Sequence, residues 1–429
     1  MASTDSGVHR LAYRALWVLT LINLLNYLDR YVVTAIIPDL KAPPFALSGS
    51  QVGFLQTAFM LLYMLTAPLF GALGDRGSRT RPIAVGVFLW SLATALSGLA
   101  RSYTQLLAGR AAVGIGEAAY VAIAPALLSD LFPASRRGRV LSVLNMAIPV
   151  GSALGYVVGG LVSQRYGWRA VFFVAGIPGI LLAALVLALP DPPRGAQDAG
   201  ASHNVALLAR ARAAAWQAAR VYWSLLQRPR YLLIVLGYAA YTFALGGLAF
   251  WMPYFLEQVR GIAHAAATTG FGGIVVVTGF VGTFLGGWLG DYCLRFSRQA
   301  YLWMSGWTTL LAVPCAIVAL TAVQPGLFYP AIIAAELLLF MSTGPINAAI
   351  INVVSPLERA SAVALSMFMI HLLGDAPSPT LIGWLADASS LASAVLMVPL
   401  AVAVSGALWL LSARVNARSS AATAGTSLA

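Results

Sequence analysis

Long apolar stretches recur along this chain, and they constrain its fold more than any other feature. The first extends from about Tyr13 to Ile37, which is too long for the core of a cleavable signal peptide. A helix of about 20 apolar residues crosses a bilayer. We therefore predict an all-α membrane protein with twelve transmembrane helices, near residues 13–37, 50–73, 82–100, 105–129, 139–163, 170–189, 229–256, 267–290, 300–322, 328–352, 360–385 and 390–413.

The composition agrees with a membrane location and argues against several other classes of protein. Of the 429 residues, 60% are hydrophobic and only 9% are charged, whereas soluble domains carry about a quarter charged residues. The two cysteines, Cys293 and Cys315, indicate no disulfide framework. The sequence has no nucleophile elbow, metal-ligand cluster or nucleotide-binding loop. We therefore expect no enzyme activity, no metal and no other cofactor.

The basic residues predict the orientation of the chain. The net charge is +12, and Lys41 is the only lysine. The arginines lie between apolar runs rather than on one polar domain, which argues against a nucleic-acid partner. Most arginines fall in alternate connections, and cytoplasmic loops are the connections enriched in Arg and Lys. We expect a multi-pass protein of the cell inner membrane, with both termini in the cytoplasm, that is a monomer.

The segment from Asp191 to Arg230 divides the chain. It opens with a proline-rich turn that ends a helix, and an Arg- and Ala-rich stretch follows from His203 to Gln227. That stretch is typical of an amphipathic helix at the membrane surface, although a linker helix without lipid contact is the alternative. We predict a six-helix bundle over 1–190, a cytoplasmic linker over 191–228 and a second bundle over 229–429.

Short motifs repeat between the two predicted bundles. Gly71-Ala-Leu-Gly-Asp75 closes the second span, and Gly287-Trp-Leu-Gly-Asp291 closes the eighth. Pro133-Ala-Ser-Arg136 follows the fourth span, and Pro356-Leu-Glu-Arg359 follows the tenth. Two pseudo-symmetric six-helix repeats resemble the plan of the major facilitator superfamily.

The loop after the second span, from Gly71 to Arg81, resembles the signature loop of that superfamily, which latches the outward-open state. Its small residues let two helices approach closely, and its acid can cap a helix or pair with an arginine. An ordinary turn that obeys the positive-inside rule is the alternative. The gating residues predicted from the resemblance are Gly71, Asp75, Arg76, Arg79 and Asp291.

Four further segments resemble the spinster family of lysolipid and sphingolipid transporters. They are Asn26–Tyr31, Gly109–Tyr120, Ala147–Tyr156 and His371–Pro379. The resemblance runs from about residue 20 to residue 385. It implies proton-coupled movement of a small amphiphilic substrate by alternating access. It also implies that carboxylates and an arginine of the first and fourth spans handle proton and substrate, and that the acid of the tenth span lines the substrate site.

Ionisable side chains inside the predicted spans are the main functional candidates. Each costs about 3 kcal/mol or more at the bilayer centre, and such residues usually serve a function. The candidates are Asp29, Arg30, Arg110, Glu117, Glu336, His371 and Asp375. For proton coupling we predict Asp29, Glu117 and His371. For substrate binding we predict Arg110, Glu117, Glu336, Arg30, Tyr120, Tyr156 and Tyr241.

Depth in the membrane suggests how the charges of the first half meet. Arg110 and Glu117 are seven residues apart and share one helix face, and Asp29 lies at the depth of Arg110. Neighbouring residues of a helix point about 100° apart, so we expect Asp29 to face Arg110 and Arg30 to pair elsewhere or reach the outer mouth. Arg110 would hold Asp29 or Glu117 when empty and a substrate head group when loaded, with a proton on either acid releasing it. A static salt bridge is the alternative.

The second half contributes fewer charges. Glu336 lies in repeat register with Glu117. His371 and Asp375 are four residues apart and can pair on one helix face. His371 can carry a proton at physiological pH or serve only as a hydrogen-bonded structural residue. Gly374 and nearby prolines interrupt the eleventh span, which predicts a bend that can act as a gate.

Other readings of the same residues remain open. Most aromatic residues of a membrane protein face lipid, so the three tyrosines above are weak candidates. A carrier for another organic anion, a sugar phosphate or a drug would also use an arginine with acids. A membrane sensor that binds its ligand without moving it belongs to another class. The expected partners are an amphiphilic small molecule, protons and the lipid bilayer.

Overall fold

The chain folds into helices, as the apolar runs predict. The computed structural model describes residues 2–193, 196, 220–355 and 358–426, and these contain no β-strand. The helices before the central linker are α1 (Ala2–Ala35), α2 (Ile37–Lys41), α3 (Gly49–Arg76), α4 (Thr80–Ser97), α5 (Tyr103–Leu131), α6 (Ala134–Tyr166) and α7 (Trp168–Leu187). Those after it are α8 (Pro229–Gln258), α9 (His264–Cys293), α10 (Ala300–Thr321), α11 (Pro325–Phe340), α12 (Thr343–Asn352), α13 (Arg359–Ile370), α14 (Ser378–Ala388), α15 (Leu391–Ala394) and α16 (Met397–Thr426).

Eleven stretches of the described chain are long and apolar enough to cross a bilayer. The missing one is the predicted span over 360–385, which is divided into α13, a π-helical turn over His371–Asp375, and α14. Pro377 and Pro379 follow the turn at once, and proline cannot donate the hydrogen bond that continues a helix. A π-turn inserts a residue and often marks a functional site. The interruption predicted at Gly374 is therefore confirmed.

The described residues form two compact units. The first contains Met1–His203 and Met252–Gly273, and the second contains Asn204–Trp251 and Ile274–Ala429. The bundle boundaries predicted from the sequence stay a prediction. The predicted amphipathic helix over His203–Gln227 falls mostly outside the described residues, and its last part, 220–226, is helical.

Glycines bring α1 and α6 of the first unit into close contact. A Cβ atom on Gly151 would lie 2.5 Å from the carbonyl oxygen of Leu24, and one on Gly155 would lie 2.6 Å from that of Leu28. Such distances leave no room for a side chain. The two helices can therefore lie this close, because small residues are what allow membrane helices to approach closely.

Close packing at glycines also positions α5, the helix that carries Arg110 and Glu117. A Cβ atom on Gly86 of α4 would lie 2.6 Å from the carbonyl oxygen of Gly116 on α5. On another face of α5, a Cβ atom on Gly114 would lie 3.1 Å from the backbone nitrogen of Tyr63 on α3. The helix that carries Arg110 and Glu117 is thus wedged between α3 and α4, which fixes its depth and rotation.

The part of the second half that belongs to the first unit packs on α6. Tyr156 and Phe271 meet edge to face with ring centroids 5.3 Å apart. The Ser163 hydroxyl lies 3.1 Å from Nε2 of His264, whose Nδ1 lies 2.7 Å from a Glu257 carboxylate oxygen. These contacts explain why Met252–Gly273 groups with the N-terminal helices.

Candidate functional site

Four ionisable side chains of α1 and α5 form one buried cluster in the first unit. Glu117 is fully buried, Asp29 and Arg110 are nearly so, and the Arg30 side chain is 11% exposed. Arg30 donates from Nε to Glu117 Oε2 at 2.9 Å. Sequence reasoning named only Arg110 as a partner for Glu117, and the structure corrects this because Arg30 occupies that place.

The second ion pair of the cluster is looser than the first. Arg110 Nη1 lies 3.8 Å from Asp29 Oδ1, which confirms that Asp29 faces Arg110. Asp29 also accepts a hydrogen bond of 2.6 Å from the Thr94 hydroxyl of α4. Arg110 Nη2 reaches the Gln56 side-chain oxygen of α3 at 3.4 Å. A hydrogen-bonded ion pair normally has a separation below 3 Å, so Arg110 is held mainly by charge.

Aromatic rings of α1 and α3 surround both guanidinium groups. Arg30 lies 4.9 to 5.1 Å from the ring centroids of Tyr27, Phe59 and Tyr63, and Arg110 lies 4.8 Å from that of Phe59. A cation over a desolvated ring gains about 2 kcal/mol. The rings thus offset part of the cost of burying two arginines.

Several partners in this cluster escaped the sequence prediction. Gln56, Phe59 and Tyr63 recur at spacings of three and four residues and so lie on one face of α3. That spacing is a usable signal, but neutral side chains do not stand out in a search for charges within apolar runs. Thr94 had no distinguishing signal, because a threonine inside a span usually bonds to its own helix.

Some buried polar atoms of the cluster have no hydrogen-bond partner among the described residues. They are Nε and Nη1 of Arg110, Nη2 of Arg30, Oδ1 of Asp29, Oε1 of Glu117, and both amide atoms of Asn26. At least nine in ten buried polar groups in proteins are hydrogen-bonded. The cluster therefore offers donors and acceptors that its own hydrogen bonds leave unused.

The buried acid of the second unit has a different environment. Glu336 of α11 is 3% exposed and accepts a hydrogen bond of 2.9 Å from the Thr278 hydroxyl of α9. It forms no ion pair with any residue that the structure describes. Glu336 and Glu117 occupy matching repeat positions, but only Glu117 has a cation beside it.

His371 and Asp375 form the pair that their spacing predicts. Nδ1 of His371 lies 3.0 Å from both carboxylate oxygens of Asp375, and each side chain is about one fifth exposed. The pair lies in the π-helical turn, where Gly374 packs against α8: a Cβ atom on this glycine would lie 2.7 Å from the carbonyl oxygen of Ala239. The titratable pair and the helix interruption therefore coincide.

The three candidate tyrosines are fully buried packing residues in this structure. Tyr120 donates its hydroxyl to the carbonyl oxygen of Leu19, and Tyr241 donates to that of Leu339, each at 2.7 Å. Tyr156 packs between the rings of Tyr31 and Phe271. Buried tyrosine hydroxyls usually find such a partner. The predicted role of these tyrosines in substrate binding stays a prediction.

The signature loop is organised around Arg79, which is 2% exposed. Its backbone N–H and its Nε donate to Asp191 at 2.8 and 3.1 Å. Its Nη1 contacts the Asp130 carboxylate, and its Nη2 donates to the carbonyl oxygen of Pro192. The loop between α3 and α4 is thereby tied to the ends of α5 and α7.

The small residues of the predicted loop differ in their packing. A Cβ atom on Gly74 would lie 2.8 Å from the Ile123 side chain, so the helices approach closely there, whereas a Cβ atom on Gly71 would meet nothing within 4 Å. The predicted contacts of Asp75 and Arg76 lie outside the described side chains. In the second unit, Asp291 accepts a hydrogen bond of 2.7 Å from the Tyr301 hydroxyl.

Comparison with known proteins identifies the family of this chain. The Major Facilitator Superfamily profile matches residues 19–379. Protein spinster homolog 3 of Danio rerio is 35% identical over 412 residues, which cover 90% of this chain and 79% of the relative. The chain belongs to the spinster family of the major facilitator superfamily. The resemblance expected from the sequence motifs is thus confirmed.

Further relatives and a solved structure agree with this assignment. Protein spinster homolog 1 of Homo sapiens is 34% identical, with 86% of this chain and 72% of the relative covered. The sphingosine-1-phosphate transporter of Xenopus tropicalis is 33% identical, with 88% and 74% covered. The crystal structure of a bacterial homologue of the human lysosomal transporter spinster matches with a TM-score of 0.82 at 25% identity, and covers 94% of this chain and 97% of that one. This spinster-family member is therefore a multi-pass membrane transporter with the major facilitator fold.

Proposed function

We propose that this chain is a proton-coupled transporter of a small amphiphile with an anionic or zwitterionic head group, such as a lysophospholipid or a phosphorylated sphingoid base. It acts as a monomer in the cell inner membrane, has both termini in the cytoplasm and catalyses no covalent reaction. The observation that carries the proposal is the buried cluster in which Arg110 is held loosely by Asp29 while Arg30 is held tightly by Glu117.

Arg110 is the group best suited to bind the head group. It is 2% exposed, and its Nε and Nη1 have no hydrogen-bond acceptor among the described residues. A buried arginine requires a carboxylate or an anionic ligand, and guanidinium groups bind phosphate through paired N–H donors. A phosphate that enters the cluster gains these donors and competes with Asp29, which is already 3.8 Å away.

A proton provides the coupling. When Glu117 takes up a proton on its carboxylate, its attraction to the Arg30 guanidinium is lost, and Arg30 becomes a second cation for the substrate. When the proton leaves, the internal pair re-forms and the anion is displaced. Asp29 performs the same exchange for Arg110. An ion pair in a low-dielectric site is strong enough for one proton to shift its balance.

The second unit supplies further titratable groups for the transport cycle. An ionised carboxylate is costly to bury without a cation, and Glu336 has only the Thr278 hydroxyl, so a proton on Glu336 removes that cost. His371 is paired with Asp375 at the helix interruption. We assign Glu336 to the substrate-binding wall and His371 to proton exchange at the bend.

The relatives support the lipid nature of the substrate. One of them, at 33% identity, is a sphingosine-1-phosphate transporter. Its named substrate combines a long apolar chain with a phosphate. A cluster of two arginines surrounded by Tyr27, Phe59 and Tyr63 suits the junction between such a head group and its chain, because the rings present an apolar surface beside the charges.

Transport in proteoliposomes tests the proposal. Purified protein is reconstituted, and uptake of a radiolabelled lysophospholipid is measured with and without an imposed pH gradient. Wild-type protein is expected to accumulate the lipid only with the gradient. Glu117→Gln is expected to lose accumulation but to keep exchange of internal for external lipid, because exchange needs no net proton movement. Glu358→Gln, the same change in a connecting loop, is the matched control and is expected to accumulate lipid normally.

Each alternative has its own result. Gradient-driven accumulation by Glu117→Gln would remove Glu117 from the coupling mechanism. Accumulation of a sugar phosphate or another polar anion instead of the lipid would overturn the substrate assignment. Ligand binding without exchange or accumulation in any condition would identify a sensor rather than a carrier.

A further inference from the structure

The arginine that precedes the third membrane-spanning helix has a different environment in each of the two repeats. In the first repeat, Arg79 immediately precedes α4 and is enclosed by Asp130, Asp191 and the carbonyl oxygen of Pro192. In the second repeat, Arg298 lies two residues before α10 and is exposed to solvent. The sequence shift that aligns Glu117 with Glu336 also aligns these two arginines.

The acids that enclose Arg79 have no counterparts in the second repeat. The same sequence shift places Ala349 opposite Asp130, and the shift that aligns Pro133 with Pro356 places Val353 there. Neither residue can accept a hydrogen bond through its side chain. Asp191 follows the last helix of the first repeat, but the sequence has no acidic residue after Asp387. The second repeat therefore keeps the arginine and lacks both carboxylates.

A cavity takes the place of the missing acids. It has a volume of about 400 Å³, and Arg230, Arg298, Gln299, Tyr301, Asn352 and Val353 contribute to its lining. The cavity beside Arg79 and Asp130 in the first repeat measures only about 90 Å³. The larger volume lies within the usual range for small-molecule sites, which is about 300–1,000 Å³.

The electrostatics of this cavity favour an anion. Neither Arg230 nor Arg298 forms an ion pair with a residue that the structure describes. The nearby acids are already engaged, because Glu358 accepts two hydrogen bonds from Arg228 at 2.7 and 2.8 Å and Asp291 accepts one from Tyr301. Two cations with no carboxylate at ion-pair distance among the described residues attract an anion more strongly inside a concave site than on a flat surface.

The polar lining also matches a phosphate group. Asn352 and Gln299 carry amide donors, and the first residues of α10 form part of the wall, where a helix start adds partial positive charge. We propose that the cavity between the start of α8, the start of α10 and the end of α12 binds a phosphate group. The ligand is the phosphate of a phospholipid head group or a soluble phosphate ester, and it completes in the second repeat the neutralisation that carboxylates provide in the first.

Binding to the intact protein tests this site independently of transport. The purified chain is prepared in an uncharged detergent, and its thermal unfolding is followed by tryptophan fluorescence. Three probes are titrated: inorganic phosphate, glycerol 3-phosphate, and short-chain phosphatidic acid, with the matching diacylglycerol as the uncharged control. At least one phosphate-bearing probe is expected to stabilise the wild-type protein, whereas diacylglycerol is not.

Three variants assign binding to the cavity. Replacing both arginines, Arg230→Gln with Arg298→Gln, is expected to weaken phosphate binding by about tenfold or more, because both charged hydrogen-bond donors are lost. Asn352→Asp, an isosteric change that supplies an internal carboxylate, is expected to weaken it by about tenfold as well. Arg295→Gln removes the same charge from the same loop outside the cavity lining and is the matched control.

The outcomes separate the possible ligands and can overturn the proposal. Stabilisation by phosphatidic acid alone identifies a lipid head group, and stabilisation by all three phosphate probes identifies a soluble phosphate site. The proposal is wrong if no phosphate-bearing probe stabilises the protein. It is also wrong if the double arginine variant binds like wild type, or if Arg295→Gln weakens binding equally. The proposed transport reaction is tested separately, because none of the side chains assigned to it lines this cavity.

Discussion

The two halves of the chain bury their charged groups in different ways. In the first half, two arginines and two carboxylates on α1 and α5 neutralise one another, and Arg79 is enclosed by two further acids. In the second half, Glu336 has only a hydroxyl partner, and Arg298 lines an open cavity. Removing one partner of a buried ion pair is costly because the other charge is left uncompensated, whereas a charge without an internal partner is available to a proton or a ligand. Similar repeats thus differ in how many of their charged side chains find an oppositely charged partner among the described residues.

The largest expected effect comes from breaking the tighter ion pair of the first half. Arg30→Gln leaves the Glu117 carboxylate buried without its closest cation, so we expect a loss of about 3–5 kcal/mol of stability. The double variant Arg30→Gln/Glu117→Gln removes both charges and is expected to recover much of that loss. Thermal unfolding of wild type and the two variants in the same detergent measures the loss and its recovery.

A matched change in the second half serves as the control for that experiment. Glu336→Gln removes the acid at the repeat-related position, where the amide oxygen can still accept from Thr278. We expect it to change stability by less than about 1 kcal/mol. The contrast between the halves fails if Glu336→Gln destabilises the protein as much as Arg30→Gln does.

A second comparison uses the two arginines of the connecting loops. Arg79→Gln leaves Asp130 and Asp191 without their shared donor, and we expect a loss of about 1.5–3 kcal/mol. Arg298→Gln removes an exposed arginine with no carboxylate partner among the described residues, and we expect a change within about 0.5 kcal/mol. Both are measured by thermal unfolding without added phosphate. Equal destabilisation by the two variants would contradict the proposed difference between the repeats.

Acid is expected to loosen the first loop. Burial opposes ionisation of Asp191, but hydrogen bonds from the Arg79 backbone, Ser78 and the Arg79 side chain outweigh it and lower the pKa of Asp191. A lowered pKa means that the contribution to stability is present above the ordinary value, about 3.9, and is lost as pH falls below it. The stability difference between wild type and Arg79→Gln should therefore shrink when unfolding is measured at pH 3 instead of pH 6.

A small effect is expected in the surface pair of the second half. Hydrogen bonds from Arg228 lower the pKa of Glu358 to about 2. The pair stabilises the protein above the ordinary glutamate pKa of about 4.3 and loses its effect as pH falls toward 2. Because the Arg228 side chain is 41% exposed, solvent screening limits the contribution to about 1 kcal/mol or less. Glu358→Gln compared with wild type at neutral pH measures it.

The sequence predicted the membrane spans because lipid imposes a simple rule. Each span must be apolar over about 20 residues and must satisfy its backbone hydrogen bonds internally. Eleven of the twelve predicted spans correspond to stretches able to cross a bilayer. The remaining one contains Gly374 and two closely following prolines, so its interruption was also visible in the sequence.

The composition of the candidate cluster was only partly predictable. The rise per residue along a helix gives the depth of each side chain in the membrane, and this correctly predicted that Asp29 lies near Arg110. The rotation of α1 against α5 is set by glycine contacts with neighbouring helices, and sequence spacing does not give it. The pairing of Arg30 with Glu117 therefore became visible only in the structure, as did the rings of α3 beside both arginines.

By itself the sequence determined that this chain is a membrane-spanning, repeated helical protein of the spinster type, because hydropathy, arginine placement and local motifs depend on neighbouring residues. The tertiary structure decided which charges neutralise each other. Arg79 finds its acids 51 and 112 residues away, and Arg298 at the matching position has no acidic partner in the part of the chain that the structure describes. Contacts between residues so distant in sequence depend on how the helices pack, and side-chain identity alone cannot specify that packing.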